Sequence, residues 1–387
     1  MTWQQEVTCK YHHQDGRTYC GPASAMMLLA TQGVPSQTVN QAQIAEIIEH
    51  NKQDSTWHSD PAGLTAAINE LLPQDDAFKY SYSQFETVYD SLHYIIDTIV
   101  THRRPCVVPI YKNHHWSVVQ GVLLDNTPDD PYGYGMQGLW LNIPFHKSIG
   151  NHSDSDQCNA AHGYGRVYVT YNSWITQYSF PITCAATGFV EQYVALCSAQ
   201  SPAVPLPRFP KLIPSSLRRR RLKTDELLSL VQKTLAMYPA LAAEMHRLDD
   251  VHRLLDVGIP RFVRYLDQGN KYYALVPMTS ERLIHGVAAF DAHDGTLLSY
   301  HTLTEPRLQL LPSLVQLLPH LLRDPAIAKY RSWLRDLPLL RPELVWQPCL
   351  QSCSPTLPFW HLQSPRGSLY VRVDGAIFTS LSLEVRG

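Results

Sequence analysis

The sequence lacks several features that would assign it to whole classes of protein. It has no run of about 18 apolar residues, so we expect no membrane-spanning helix. The first residues, Met1 to Glu6, contain no basic segment followed by an apolar one, so no secretory signal is visible and we expect a cytoplasmic location. Charged residues are only 17% of the chain and hydrophobic residues 44%, which excludes a disordered protein.

Signatures of cofactors and metals are also missing. No Gly-rich phosphate loop or dinucleotide fingerprint occurs, and the eight cysteines form no dense disulfide framework, so we expect free thiols. Two clusters of His and Cys lack the paired spacing of a four-ligand zinc site: Cys9 with His12 and His13, and Cys349 with Cys353 and His361. We therefore expect no metal, no cofactor and no nucleic-acid partner.

The charge is distributed unevenly between two halves of the chain. Residues 1–200 carry 9 Lys and Arg against 18 Asp and Glu, whereas residues 201–387 carry 23 against 16. Residues 201–223 are rich in proline and include Arg218–Arg221, a run more typical of a solvated basic patch than of a processing site. We predict a first domain at 1–200, a linker at 201–223 and a second domain at 224–387, and opposite charges favour intramolecular docking of the two domains.

A candidate nucleophile lies in the stretch from Gln14 to Leu29, where a polar segment leads into an apolar helical run. Gly21 and Pro22 suit the first turn of a helix, which would place Cys20 at the helix N-terminus. The N–H groups there favour a negative charge, so we predict a depressed pKa for the Cys20 thiol. The amide of Gln14 is a candidate donor to a substrate oxyanion. A cysteine at the start of a core helix is also commonly a small hydrophobic residue, so Cys20 alone decides nothing.

Two further residues complete a candidate triad. Residues 105–110 and 115–122 are predicted strands, with a polar turn between them, and His115 opens the second strand. Residues 139–144 are a third predicted strand, which contains Asn142. A nucleophilic Cys, a distant His and an Asn that orients the imidazole form the cysteine version of the catalytic triad.

These motifs resemble those of papain-like cysteine peptidases. Gln-x5-Cys-Gly-Pro-Ala-Ser around Cys20 and His-Trp-x-Val-Val-x-Gly from His115 are most similar to the bacteriocin-processing branch, which cuts leader peptides after a double glycine, over roughly residues 5–180. The resemblance implies that Gln14 is the oxyanion donor, Cys20 the nucleophile, His115 the base and Asn142 the orienting residue. A His directly before an aromatic residue selects His115 over His114. Trp116 is then expected to pack on the opposite side of the strand, as a core residue.

The expected fold class is α+β, with N-terminal helices near 20–32, 40–50, 64–72 and 85–100, followed by an antiparallel sheet. The second half contains a faint repeat of a helix and a β-meander, each with an Asp-Gly turn, at Asp294-Gly295 and Asp374-Gly375. This layout is similar to cystatin-like or PepSY-like modules, some of which bind or restrain peptidases. We expect the second half to bind substrate or to regulate the first.

The leading hypothesis is a cysteine peptidase that acts on a peptide or protein substrate. Two alternatives stay open. The same residues can deamidate glutamine or transfer an acyl group, as transglutaminase-like enzymes do. A papain-like fold can also be a catalytically inactive binding module. The sequence does not name the substrate.

Overall fold

The computed structural model describes residues 2–16, 18–74, 79–111, 115–145, 165–184, 188–198, 202–210, 220–236, 256–323, 342–349, 351–352, 354–364 and 367–382. The chain divides into two compact units. Unit 1 contains Met1–His146, Tyr164–Ile213 and Glu384–Gly387, and unit 2 contains Lys147–Gly163 and Pro214–Leu383. His114, most of the predicted loop at 146–165, and Arg218 and Arg219 lie outside the described residues.

The helices of unit 1 begin at residues whose side chains satisfy exposed backbone N–H groups. Asn40, Asp60 and Thr87 each accept a hydrogen bond from the N–H three residues later, as N-caps do. Gly33, at φ +84°, follows the end of the first helix in the left-handed conformation that glycine tolerates. The helices are α1 (Cys20–Thr31), α2 (Gln41–Asn51), α3 (Pro61–Leu71) and α4 (Val88–Val100).

The described strands of unit 1 pair with one another in antiparallel fashion. The strand at His115–Leu124 pairs along one edge with Cys106–Ile110 and then with Trp3–Glu6, and along the other edge with Met136–Asn142. The strands are β1 (Trp3–Glu6), β2 (Ser81–Phe85), β3 (Cys106–Ile110), β4 (His115–Leu124), β5 (Met136–Asn142), β6 (Val167–Thr170), β7 (Ile182–Cys184) and β8 (Phe189–Cys197). β6 pairs with β5, and β8 pairs with β2, β3 and β7.

The order of elements in unit 1 differs from the expected helices followed by strands. β1 precedes α1, and β2 occupies Ser81–Phe85, where the sequence predicted the start of a helix at Phe85. α4 begins later, at Val88, because Thr87 caps it and hydrogen-bonds to Asp90. The residues after Thr170, expected to follow the last strand, form a helical turn and a π-helix at Trp174–Tyr178, and β7 and β8 come afterwards.

Alternation along β4 separates two packing faces. Trp116 and Val118 belong to the same buried cluster as residues of α1, α2 and α3. The side chains of the residues that alternate with these two lie on the opposite face of the sheet. On β3, Cys106 is directed to α4, where its Sγ lies 3.9 Å from the Ile95 carbonyl oxygen. Helices therefore pack on both faces of the sheet formed by β3 and β4.

The proline-rich stretch at 202–210, expected to be part of a linker, lies within unit 1 and is hydrogen-bonded to it. Asp97 of α4, which is fully buried, accepts hydrogen bonds from the backbone N–H groups of Ala203 and Val204. The Tyr134 hydroxyl donates to the Pro205 carbonyl at 2.7 Å, and Arg208 exchanges backbone hydrogen bonds with Tyr134 and Met136. We call residues 202–210 the strap.

Unit 2 contains two consecutive segments, each made of a helix followed by antiparallel strands. The first is α5 (Thr224–Ala236) with β9 (Asp256–Val257), β10 (Arg261–Tyr265), β11 (Tyr272–Ser280), β12 (Leu283–Asp291) and β13 (Leu297–Arg307). The second is α6 (Leu314–Arg323) with β14 (Glu343–Trp346), β15 (Phe359–Ser364), β16 (Gly367–Arg372) and β17 (Ile377–Phe378). β10 and β14 pair in parallel, with Arg264 opposite Val345. The likeness to cystatin-like or PepSY-like modules stays a prediction.

The described residues of the basic run before α5 make contacts with other side chains of unit 2. Arg220 forms an ion pair with Glu226, and the Arg221 guanidinium lies 4.2 Å from the centroid of the Phe262 ring.

Both units mix helices and strands, so the chain is an α+β protein. Within the described residues, no helix combines the length and the apolar character needed to cross a membrane.

Candidate active site

Cys20 is the first residue of α1 and lies at 1% exposure in the core of unit 1. The backbone N–H groups of Trp116, Gly21 and Cys20 itself favour the charged form of its sulfur and act to lower its pKa. Gly21 is required by a close approach: a Cβ at that position would lie within 2.5 Å of the Ser59 Cβ. The Cys-Gly step therefore lets the N-terminus of α1 pack directly on the residue before Asp60, the cap of α3.

Burial dominates the chemistry of the Cys20 thiol. Removal from water raises the pKa of Cys20 to about 11, and the N–H groups around the sulfur offset only part of this effect. The predicted depression of its pKa is therefore wrong for this buried arrangement. The sequence located the helix N-terminus correctly, but it carried no measure of how completely the surrounding residues exclude water.

His115 is also buried, and its ring has a defined protonation pattern. The Nε2 atom lies 2.6 Å from the Pro144 carbonyl oxygen. A carbonyl only accepts hydrogen bonds, so Nε2 carries the proton and the neutral ring keeps its lone pair on Nδ1. Burial lowers the pKa of His115 to about 4, against a smaller opposing effect of the Pro144 carbonyl. His115 is therefore a neutral imidazole at pH 7, with Nδ1 able to accept a proton.

Asn142 has partners other than His115. Its Nδ2 donates to the Cys9 carbonyl at 3.1 Å and to Gln120 Oε1 at 2.8 Å, and its Oδ1 accepts the backbone N–H of Arg166. Asn142 lies opposite Val118 in the register of β4 and β5, so their side chains leave the same face of the sheet. His115 is three positions from Val118 and leaves the other face. The atom that contacts the His115 ring is instead the main-chain oxygen of Pro144.

Trp116 lies on the side of β4 that faces α1. It belongs to the same buried cluster as Cys20, and its ring packs 6.2 Å from that of Trp57. Its indole N–H donates to the Ser59 carbonyl at 2.8 Å. Trp116 is fully buried, so the expectation that it is a core residue is confirmed. The structure brings Cys20 together with Trp116 and brings His115 together with Pro144, and among the described residues no hydrogen bond joins Cys20 to His115.

Gln14 is buried, and hydrogen bonds fix both its own backbone and the backbone of the two adjacent residues. Its N–H donates to the Phe145 carbonyl at 3.1 Å, next to the Pro144 carbonyl that accepts from His115. Gln41, the first residue of α2, hydrogen-bonds to the residues on both sides of Gln14. Gln41, Pro144 and Ser59 have no recognisable signal in the sequence, because each acts through contacts with residues distant in the chain.

Within the part of the chain that the structure describes, no group of three or more His, Cys, Asp or Glu side chains could hold a metal ion. Of the two clusters found in the sequence, Cys353 lies outside the described residues. His361 stacks on the Tyr370 ring at 4.8 Å, and Cys349 Sγ lies 3.8 Å from the Ser352 carbonyl oxygen. The described members of that cluster thus have protein partners.

Residues 4–152 match the family model described as the Peptidase_C39 like family. This range includes Gln14, Cys20, His115 and Asn142, and it covers less than half of the chain. The match supports a cysteine peptidase family for this region, whose fold is papain-like in coarse outline. It does not single out the bacteriocin-processing branch. No curated protein and no solved structure matches the chain significantly.

Proposed function

We propose that this protein is a papain-like cysteine peptidase that hydrolyses a peptide bond in a peptide or protein substrate. The observation that carries the proposal is the position of Cys20 as the first residue of α1, where nearby backbone N–H groups favour the charged form of its sulfur, inside a region that matches a cysteine peptidase family. Such N–H groups stabilise negative charge on the sulfur once substrate is bound.

The reaction follows from the neutral states of the two side chains. The Cys20 thiol attacks the carbonyl carbon and its proton passes to Nδ1 of His115. Gln14 Nε2 and the Cys20 N–H stabilise the resulting oxyanion. When the intermediate collapses, the C–N bond breaks and the leaving amine takes the proton from His115. Water, deprotonated by His115, then hydrolyses the thioester, which releases the carboxylic acid and restores the thiol.

The orienting role in this proposal is divided between Asn142 and Pro144. The Pro144 carbonyl holds Nε2 of His115, which directs Nδ1 to the reaction. Asn142 fixes the end of β5, two residues before Pro144, through its bonds to Cys9, Gln120 and Arg166. The triad of the proposal is therefore Cys20, His115 and the segment from Asn142, the last residue of β5, to Pro144. The reaction requires Nδ1 to reach Cys20 Sγ in the substrate complex.

One observation favours a second candidate, the inactive binding module. Cys20 is 1% exposed and burial raises its pKa to about 11, so the thiol resembles a core cysteine in this state. In this candidate the fold recognises a peptide without cleaving it. The two candidates differ in one measurable event, the formation of a covalent adduct on Cys20.

We extend the proposal to the second half of the chain. The predicted division into residues 1–200, 201–223 and 224–387 assigns chemistry to the first part and substrate binding or regulation to the last. The net positive charge of residues 201–387 favours an acidic partner, and the peptidase half, with 18 Asp and Glu against 9 Lys and Arg, is one such partner.

The test is intact-mass spectrometry of the full-length protein after incubation with a library of internally quenched peptides. Wild type, Cys20→Ala and Cys9→Ala are compared, because Cys9 is a neighbouring thiol outside the proposed chemistry. We expect acyl adducts and shortened peptides with wild type and Cys9→Ala, and neither with Cys20→Ala.

Each other outcome points to a different function. A gain of about 1 Da on a glutamine-containing peptide, with no chain cleavage, would establish deamidation instead. Peptide binding without any adduct on Cys20 would establish the binding module. Turnover that survives Cys20→Ala would refute the assignment of the nucleophile.

A further inference from the structure

Gln41 occupies a position that no part of the proposed chemistry explains. It is the first residue of α2, and its side chain is only 3% exposed. Its Oε1 accepts the backbone N–H of Asp15 at 2.9 Å, and its Nε2 donates to the backbone carbonyl of His13. A single amide group therefore binds the residue before Gln14 and the residue after it.

These two hydrogen bonds need both the carbonyl oxygen and the NH₂ group of the Gln41 side-chain amide. Glutamate at position 41 keeps an acceptor for the Asp15 N–H but loses the donor to the His13 carbonyl, and methionine loses both. A buried backbone group without a hydrogen-bond partner lowers the stability of the protein, so residues 13–15 would shift until the group finds a new partner. Because Gln14 lies between the two bound residues, any such shift moves Gln14.

The bonds also connect Gln14 to the nucleophile. α2 packs against α1, which begins at Cys20. On its other side, the Gln14 N–H donates to Phe145, the residue that follows Pro144. Gln14 is thus fixed between the helix layer that carries Cys20 and the segment after β5 that holds His115.

We propose that Gln41 is a positioning residue that sets the place of the Gln14 side chain relative to Cys20, and thereby the strength of oxyanion stabilisation. The inference rests on the proposed peptidase function. An oxyanion exists only after attack on the carbonyl, so a displaced donor weakens the transition state and leaves substrate binding nearly unchanged. A displacement of about 1 Å is enough to lower a rate about 100-fold.

The experiment measures kcat and KM of the full-length protein on an internally quenched peptide that wild type cleaves. The variants are Gln41→Glu and Gln41→Met, each alone and combined with Gln14→Ala. Gln43→Glu is the matched control, because Gln43 is exposed on the same first turn of α2. A glutamate in that turn interacts favourably with the helix dipole, so neither Gln→Glu change weakens the helix itself.

We expect Gln41→Glu and Gln41→Met to lower kcat about tenfold or more, with KM changed less than about threefold, and Gln43→Glu to have neither effect. In the Gln14→Ala background, which itself costs about 100-fold, Gln41→Glu should lower kcat less than about twofold further, since both changes act on one interaction. Alkylation of Cys20 by iodoacetamide forms no oxyanion, so its rate should be the same in all these variants.

Unchanged kcat in both Gln41 variants would refute the inference and leave the peptidase proposal intact. Fully multiplicative losses in the double variants, or an equal loss of iodoacetamide reactivity, would show that Gln41 supports the fold in general and would also refute it. Wild-type protein without Cys20-dependent turnover of any peptide would overturn the proposed function and this inference together.

Discussion

The buried imidazole of His115 makes the stability of unit 1 depend on pH in a direction that can be calculated. Burial lowers the pKa of His115 from an ordinary value of 6.5 to about 4. Between these two values the unfolded chain binds a proton that the folded chain does not. Protonation therefore favours unfolding: the contribution of His115 is complete above pH 6.5 and is lost as the pH falls towards 4.

The magnitude follows from the two pKa values. One pKa unit corresponds to 1.36 kcal/mol, so by pH 4 the folded protein loses about 3 kcal/mol from His115 alone. This is a large part of the stability of an ordinary domain, which is about 5–15 kcal/mol. Other groups titrate over the same range, so the contribution must be isolated with a variant.

The variant is His115→Gln, whose amide N–H can still donate to the Pro144 carbonyl but which does not titrate. Free energies of unfolding are measured by urea denaturation of the full-length protein at pH 7.5, 5.5 and 4, followed by tryptophan fluorescence. The control is His50→Gln, because His50 is exposed on α2. We expect the stability of wild type relative to His115→Gln to fall by about 3 kcal/mol from pH 7.5 to pH 4.

A difference between wild type and His115→Gln that stays constant within about 0.5 kcal/mol across this pH range would refute the reasoning, because it would mean that His115 accepts its proton as readily folded as unfolded. A similar pH dependence in His50→Gln would show that the effect is not specific to the buried ring.

Two further predictions concern the packing around the site. Gly21→Ala should destabilise the protein by about 1–3 kcal/mol, because the added Cβ meets Ser59, and the second change Ser59→Gly should recover part of the loss in the same thermal unfolding assay. Asn142→Ala should lower the free energy of unfolding by about 2–4 kcal/mol, because it removes the hydrogen-bond partner of the buried Gln120 amide oxygen and of part-buried backbone groups of Cys9 and Arg166. A loss of kcat in Asn142→Ala with stability within about 0.5 kcal/mol of wild type would instead support a direct role in orienting His115.

Local signals predicted much of unit 1. Asp60 before Pro61 predicted a cap, and its Oδ1 accepts the Gly63 N–H at 2.7 Å. The start of β4 at His115 was also predicted, because a run of β-branched residues begins there, directly after the polar turn. β1 was missed because its four residues, Trp3–Glu6, show no apolar alternation, and its place is decided by pairing with Gly121–Leu124.

The arrangement of the site was harder to predict because it depends on register and burial. Asn142 falls on the face opposite His115 through the pairing of β4 with β5, which includes an irregularity between Val119 and Gly121. The partners of Gln41 lie 26 and 28 residues earlier in the chain, so no local pattern distinguishes it from any other glutamine in a first helical turn. The raised pKa of Cys20 reflects its surroundings as a whole.

The strap has a consequence for the order in which the protein acquires its structure during synthesis. Its hydrogen bonds to Asp97 join residues 106 and 107 positions apart, and they form only after α4 is in place. A ribosome that has released β8 has therefore not yet released everything that unit 1 contains, because residues 202–210 still follow. Until then Asp97 lacks those two backbone partners, and a nascent chain that pauses there exposes an incomplete domain to chaperones and proteases. Proline restricts the unfolded strap to extended shapes, which reduces the entropy lost when it finally docks.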